Sequence, residues 1–221
     1  MKAKLFLLVL TVALVAALAG GATLALFTDT AANAGNAFTA GTVDIQADRD
    51  LGDPIPGPMF YTTIAEGTAV PGQGPYLLNP TGVWWPGRTE ARNLDVRNLG
   101  SLQVRLDRVS AEITSINGAP PAPEDPLAAY FAGNMNVKIY VAGQFVNGQP
   151  SKVLYNGSLA TLISGPQACV HKPLIAPFTG LWPPMVQLVY EVTMDLDAGN
   201  DLQGIVPVVS FSVFAEQTKN N

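Results

Sequence analysis

The stretch MVQLVYEVTMDL, residues 185–196, decides the fold. Every second residue from Val186 to Leu196 is apolar, and polar residues occupy most of the positions between them. Alternation with period two is typical of a β-strand that buries one face and exposes the other. The stretch therefore predicts a half-buried strand, and with it a sheet that needs a second layer to cover its apolar face.

Strand patterns recur along the chain, over residues 92–98, 101–110, 137–141 and 205–215. The first three alternate like the stretch above, and the second is predicted to be partnered or preceded by the first. The last is a nearly continuous apolar run, which is expected for a central strand buried on both faces.

Turn residues separate these strands. Asn156-Gly157 lies between residues 152–155 and 158–163, the spacing of a two-residue hairpin whose turn residues both need positive φ. Asn147-Gly148 and Asn117-Gly118 predict further turns. Asp125 as N-cap and Pro126 at the first helical position predict one short helix through Phe131. Eight to ten strands with one short helix predict an all-β fold, an antiparallel β-sandwich most simply described as a jelly roll.

Residues 50–88 form a segment rich in proline and glycine. Prolines cannot donate to a sheet, so the segment cannot supply central strands, although 60–64 is predicted as an edge strand. Its aromatic residues are too numerous for a free linker, and we expect them to attach a long ordered surface loop to the sandwich.

The N-terminus has the layout of a secretory signal peptide. Lys2 and Lys4 precede an apolar run from Leu5 to Ala19, and small residues follow, with a predicted cut after Ala25. The alternative is an uncleaved anchor, because about twenty apolar residues can span a bilayer. Residues 1–25 are thus predicted to be a signal peptide, 26–36 a mature N-terminal segment, and 37–221 a single domain that contains the insertion.

Composition excludes some functions. The net charge is −5, and the chain lacks the basic footprint that binds nucleic acid. Charged residues make up 13% of the chain, about half the usual fraction, which suits a protein that associates with others. The single cysteine, Cys169, permits no internal disulfide, and its apolar neighbours favour a buried, inert thiol over an intermolecular bridge.

Few residues point to catalysis. His171 is the only histidine, so a two-histidine zinc site is excluded, and its spacing from Cys169 matches no known catalytic dyad. Asp195, Asp197 and Asp201 with Asn200 could supply oxygen ligands for calcium, but a solvated turn between two strands is the favoured interpretation. Asn156 begins a formal glycosylation sequon. We therefore predict no catalytic residues, no metal and no cofactor.

Several motifs resemble the TasA and camelysin family of secreted matrix and surface proteins. The resemblance begins at Gly20–Asp29, continues at Phe38–Ile45, and includes Pro86-Gly87 with the Gly100-Ser101-Leu102 turn. Residues 123–131 are similar to the family's short helix, and 200–204 with 210–217 to its terminal strand. No single motif is specific, but their order is. Two departures are the long insertion before Pro86 and the missing acidic, lysine-rich tail.

The resemblance implies a jelly-roll subunit of extracellular filaments, in a biofilm matrix or on the cell surface. Such subunits polymerise by donor-strand exchange, in which the mature N-terminus of one copy completes the sheet of the next. Its partners would be copies of itself and other matrix or cell-surface components, with membrane contact only through the signal segment before cleavage. The implied donor residues are Leu26, Phe27, Thr28, Asp29, Thr30, Ala31 and Ala32.

Three alternatives stay open. Residues 26–36 could pair within their own subunit or be disordered. The chain could be a secreted peptidase like camelysin, although one histidine leaves little to hold a metal. It could also be a monomeric jelly roll that binds glycan or a surface protein through the loop aromatics Tyr76, Trp84 and Trp85.

Overall fold

The fold was analysed in a computed structural model, which describes residues 28–32, 43–49, 58–62, 80–202 and 204–218. The predicted signal peptide, Leu26 and Phe27 lie outside these residues. Within them, no helix is long and apolar enough to cross a membrane.

The described residues form two five-stranded antiparallel sheets, which confirms the prediction of an all-β sandwich. The first sheet has the order β1-β12-β4-β10, with β9 also paired to β4, and the second has the order β2-β3-β11-β5-β8. A small hairpin, β6-β7, stands apart. The strands are Thr28–Ala32 (β1), Ile45–Arg49 (β2), Thr89–Asn98 (β3), Val104–Ile116 (β4), Met135–Val141 (β5), Phe145–Val146 (β6), Gln149–Pro150 (β7), Val153–Ser158 (β8), Gln167–Ala168 (β9), Leu174–Ile175 (β10), Met185–Met194 (β11) and Pro207–Gln217 (β12).

The register defines two ends of the sandwich. At one end, which we call the Asn98 end, β3 finishes at Asn98, while β4 and β11 begin. At the other, the helix end, β11 finishes at Met194, where it pairs with the start of β5. Helix α1 (Pro126–Gly133) precedes β5, and helix α2 (Leu159–Ile163) follows β8 there.

Strand β11 follows the predicted alternation. Leu188, Tyr190, Val192 and Met194 are buried between the sheets, and the residues between them are half-buried. Strand β12 is central, as predicted, but the expectation that it is buried on both faces is wrong. Buried residues alternate with half-buried Ser210, Ser212 and Phe214, because only one face of its sheet meets the core.

The prediction for strands 92–98 and 101–110 is also refined by the structure. Both strands form, as β3 and β4, but they lie in different sheets. The turn between them is therefore a crossing from one layer to the other, and β3 precedes β4 without pairing with it.

The hairpin predicted at Asn156-Gly157 is wrong. Both residues lie within strand β8, and residues 159–163 form helix α2 instead of a returning strand. The hydroxyl of Ser158 caps this helix by accepting from the N–H of Thr161. A serine N-cap at the end of an apolar-rich strand therefore stops pairing and starts a helix.

Two predicted turns and the predicted short helix are confirmed. Asn117 and Gly118 have φ of 52° and 81°, and Asn147 and Gly148 have 50° and 74°, so both pairs form turns with positive φ. Helix α1 begins at Pro126, and the Asp125 carboxylate accepts from the N–H groups of Leu127 and Ala128.

Part of the proline-rich insertion packs into the sandwich. Phe60 and Tyr61 are buried, and the Phe60 ring lies 5.8 Å from that of Phe211. Thr81 holds the chain by donating its N–H and hydroxyl to the Tyr61 carbonyl, at 2.9 and 2.8 Å. Phe60 and Tyr61 are therefore aromatic anchors of the kind expected in this segment. Of the predicted edge strand over 60–64, the described residues form only one isolated bridge, between Phe60 and Val209.

Cys169 is a free, buried cysteine, which confirms the predicted buried thiol. Burial is the main cause that raises its pKa to about 12, and the nearby Asp107 acts in the same direction. The thiolate is the reactive form of cysteine, so this side chain is protected from oxidation in the folded state.

Tyr190 carries a buried polar group at the centre of the core. Its ring lies 4.8 Å from that of Phe211, and its hydroxyl has no hydrogen-bond partner among the described residues. Burial raises the pKa of this phenol. A buried hydroxyl without a partner costs free energy, since water is lost and nothing replaces it.

We expect Tyr190→Phe to raise the free energy of unfolding by about 1 kcal/mol, because the ring stays and only the unpaired hydroxyl is removed. Tyr155→Phe is the matched control, since its hydroxyl donates to the Ser158 carbonyl at 2.7 Å and its loss should destabilise by about the same amount. Chemical denaturation of the two variants measures both changes. Destabilisation by Tyr190→Phe would contradict the prediction.

Candidate strand-exchange edge

Strand β1 lies at the edge of the first sheet. It pairs antiparallel with β12, and the register runs from Thr28 opposite Glu216 to Ala32 opposite Ser212. The pairing is within one chain. The five described donor residues therefore form a strand at the edge of their own subunit, which is the arrangement that the alternative of pairing within one subunit predicts.

Strand β12 offers β1 only part of its length. Val209 on the same edge of β12 donates its N–H to the Phe60 carbonyl at 3.2 Å. The insertion thus covers the edge near the start of β12, and the segment from Ser212 to Glu216 is the part that β1 covers. A strand from another subunit would therefore also have to pair with the segment from Ser212 to Glu216.

The direction of the N–H groups follows from this bond. Backbone N–H and C=O groups of alternate strand residues point to opposite neighbours. Because the N–H of Val209 points away from β4, the backbone groups of Val213 and Ala215 point toward β1. Their register partners, Ala31 and Asp29, are thus the β1 positions whose backbone groups face β12.

The other side of β12 is firmly held. It pairs with β4 along its whole length, with irregularities between Val208 and Val209 and between Phe214 and Ala215. On the outer face, Arg105 forms an ion pair with Glu216, and its bond to Glu216 raises the pKa of Arg105. The Arg108 guanidinium lies 5.2 Å from the centre of the Phe214 ring. The acceptor strand is therefore fixed without β1.

The loop aromatics proposed for surface contact differ in how exposed they are. Trp84 is buried in the core and is not available for a surface contact. Trp85 is half exposed, and its ring is 4.2 Å from the Arg88 guanidinium, which also donates to Glu90 at 2.8 Å. Tyr76 lies outside the described residues. Of the two aromatics that the structure describes, only Trp85 is exposed.

The candidate cation ligands lie in the turn between β11 and β12, as predicted. Asp195 accepts a hydrogen bond from the Asn136 side chain, and residues 200–202 form a single turn of 3₁₀ helix. Throughout the described ranges, no three His, Cys, Asp or Glu side chains form a group that could hold a metal ion. His171 is half-buried and donates its backbone N–H to Val153, whereas Cys169 is buried.

Sequence reasoning missed the role of Phe60 at the β12 edge. The residue stands out as an aromatic within a proline-rich segment, which indicated an anchor. Nothing in the local pattern indicated that its carbonyl would cap part of an edge nearly 150 residues away in the chain.

Comparison with known proteins places the similarity at the N-terminus. The family model described as camelysin metallo-endopeptidase matches residues 1–52. The match includes the apolar run, β1 and β2, and it confirms the resemblance to the camelysin family over this part of the chain. No curated protein matches the chain.

Proposed function

We propose that this chain is a secreted structural subunit of extracellular filaments, in which β1 of one copy replaces β1 of the next. The observation that carries the proposal is the position of β1, an edge strand near the start of the chain that pairs, among the described residues, with β12. An identical strand from a second copy can make the same backbone pairing, so exchange preserves the interactions at the edge.

Exchange of this kind leads to a polymer rather than a closed pair when each copy donates to one neighbour and accepts from another. The free energy comes from backbone hydrogen bonds of the ladder, each contributing about 1 kcal/mol net, and from the side chains that the donor buries. Only five residues of β1 pair with β12, so backbone hydrogen bonds alone contribute little free energy to the exchange. We therefore expect Leu26 and Phe27 to add apolar contacts that stabilise the exchanged strand and fix its register.

Other features support a structural role. The family match covers the export segment and β1 together, so the similarity lies in the part of the chain that strand exchange would use. The low content of charged residues weakens repulsion between copies. The only histidine, His171, is half-buried, and among the described residues it belongs to no group of three side chains that could hold a metal ion.

Deletion of residues 26–36 from the secreted chain tests the proposal. We expect the intact protein to form regular filaments in electron micrographs, and the deletion variant to stay a folded monomer in sedimentation because β12 is held by β4. Circular dichroism of the variant shows whether the sheets persist. A folded deletion variant that still polymerises would refute strand exchange.

A further inference from the structure

An uncharged loop protrudes from the Asn98 end of the sandwich. Residues 174–185 contain no charged side chain, and at the tip Leu181 and Trp182 are 94% and 86% exposed. Two adjacent large apolar side chains with this exposure are costly in water, at about 25 cal/mol for each Å² of apolar surface. Such exposure is typical of a surface that contacts a partner.

The loop is fixed at its base. The N–H of Phe178 donates to the Gly100 carbonyl at 2.8 Å, and the N–H of Asn98 donates to the Pro184 carbonyl at 2.9 Å. Hydrogen bonds on both sides of the loop therefore hold in place the segment that carries Leu181 and Trp182. Met185 and the tip of the β6-β7 hairpin, with Phe145 and Val146, add exposed apolar side chains beyond the same ends of β11 and β5.

The start of β1 lies at this end too. Thr28 pairs with Glu216, next to Gln217, which pairs with Val104 at the start of β4. The 27 preceding residues contain the uncharged apolar run Leu5–Ala19. Only eight residues, 20–27, separate this run from Thr28, and they reach about 30 Å at most. A bilayer that holds the apolar run is therefore close to the Asn98 end.

We propose that the Asn98 end docks on a lipid surface while residues 1–27 are attached, with Leu181 and Trp182 inserted at the boundary between headgroups and acyl chains. Tryptophan is enriched at this depth because its ring is apolar and its N–H needs a polar partner. The absence of charge in the loop suits insertion into neutral lipid. The proposal does not depend on strand exchange, since it concerns the chain before its N-terminal segment is released.

A second copy of the chain is the competing partner of the loop, and its apolar groove would be the place for the loop tip. This open groove of about 390 Å³ lies at the helix end between α1, α2 and β4, and it is lined by alanines and Ile163. Glu112, Glu124 and Asp125 border this groove, and the loop offers no cation to them. The charges therefore favour lipid as the partner of the loop.

Fluorescence of the full chain reconstituted in phosphatidylcholine vesicles tests the proposal. The chain has three tryptophans, and lipids brominated in the acyl chains quench those that reach the bilayer. We expect quenching in the intact chain, loss of that quenching in Trp182→Phe, and its retention in Trp85→Phe. Trp85 is the matched control because it is 53% exposed but lies near Gly87, whose N–H donates to Met194 at the helix end.

Leu181→Ser keeps Trp182 as the reporter and should reduce its quenching, whereas Leu196→Ser, which is 80% exposed near the helix end, should not. These residues are so exposed that the fold should tolerate each change, which circular dichroism verifies. Equal quenching in the intact chain and Trp182→Phe would overturn the proposal. It would also fall if the intact chain showed no quenching. In that case, loss of filaments in Leu181→Ser would identify another copy as the partner of the loop.

Discussion

Ala31→Pro is expected to abolish filaments at concentrations where Thr30→Pro still forms them. Ala31 lies opposite Val213, at a position whose backbone groups face β12, so proline there removes a donor from the ladder. Thr30 lies opposite Phe214, where the backbone groups point away from β12, and proline is tolerated on the open side of an edge strand.

The expected size of the effect follows from the ladder. One lost hydrogen bond and the distortion around the proline should weaken each subunit contact by about 1.5 kcal/mol or more, which raises the concentration needed for polymerisation roughly tenfold. Sedimentation of assembled protein over a concentration series measures this shift. The two variants carry the same substitution one residue apart, so the general restriction that proline places on the backbone affects both alike.

Two outcomes would contradict this prediction. Equal impairment by both prolines would show that the register or direction of β1 differs in the filament. Normal assembly of Ala31→Pro would show that β1 does not join the copies. Because β12 is held by β4, neither variant should lose the sandwich itself, and thermal unfolding of unassembled protein provides that control.

Asn98→Ala is expected to lower the free energy of unfolding by about 2–4 kcal/mol. Asn98 is fully buried at the end of β3. Its amide group donates to the carbonyls of Leu102 at 2.7 Å and Ala176 at 2.8 Å, and its side-chain oxygen accepts from the N–H of Gly100 at 2.9 Å.

These bonds join the turn between the sheets to the base of the uncharged loop. Alanine would leave the backbone groups buried without partners, and each such group costs about 1–3 kcal/mol. Asn98→Asp should destabilise more at neutral pH, since a carboxylate cannot donate to two carbonyls and carries a buried charge. Urea denaturation of the unassembled protein measures both.

Asn156→Ala is the matched control for Asn98. Asn156 is exposed on strand β8, and we expect its replacement to change stability by no more than about 0.5 kcal/mol. A decrease of less than about 1 kcal/mol in the free energy of unfolding of Asn98→Ala would contradict the assigned role, because three buried hydrogen bonds should contribute more than that.

Much of the architecture was predictable because it depends on local patterns. Period-two alternation located β11, β3 and β5, and the Asn-Gly pairs at 117 and 147 formed turns because their residues adopt positive φ readily. Asp125 and Pro126 fixed the start of α1 in the same way. In each case the residues that specify the structure lie within a few positions of one another.

The failures occur where local chemistry permits two structures. Asn156-Gly157 has the composition of a hairpin turn, but β8 pairs with β5 through these residues and the Ser158 cap begins a helix. The apolar run of β12 resembles a strand buried on both faces. Sheet packing instead left Ser210, Ser212 and Phe214 half-buried, because the core lies against the other face of the strand.

The sequence by itself determined that this chain is an all-β protein with an apolar N-terminal segment and a strand-forming stretch after it, because alternation, turns and apolar runs act over short distances. Only the tertiary structure decided that β1 lies on β12, that Phe60 meets the same edge at Val209, and that the uncharged loop shares the end where β1 begins. These arrangements join residues far apart in the chain, and their register depends on how the two sheets pack.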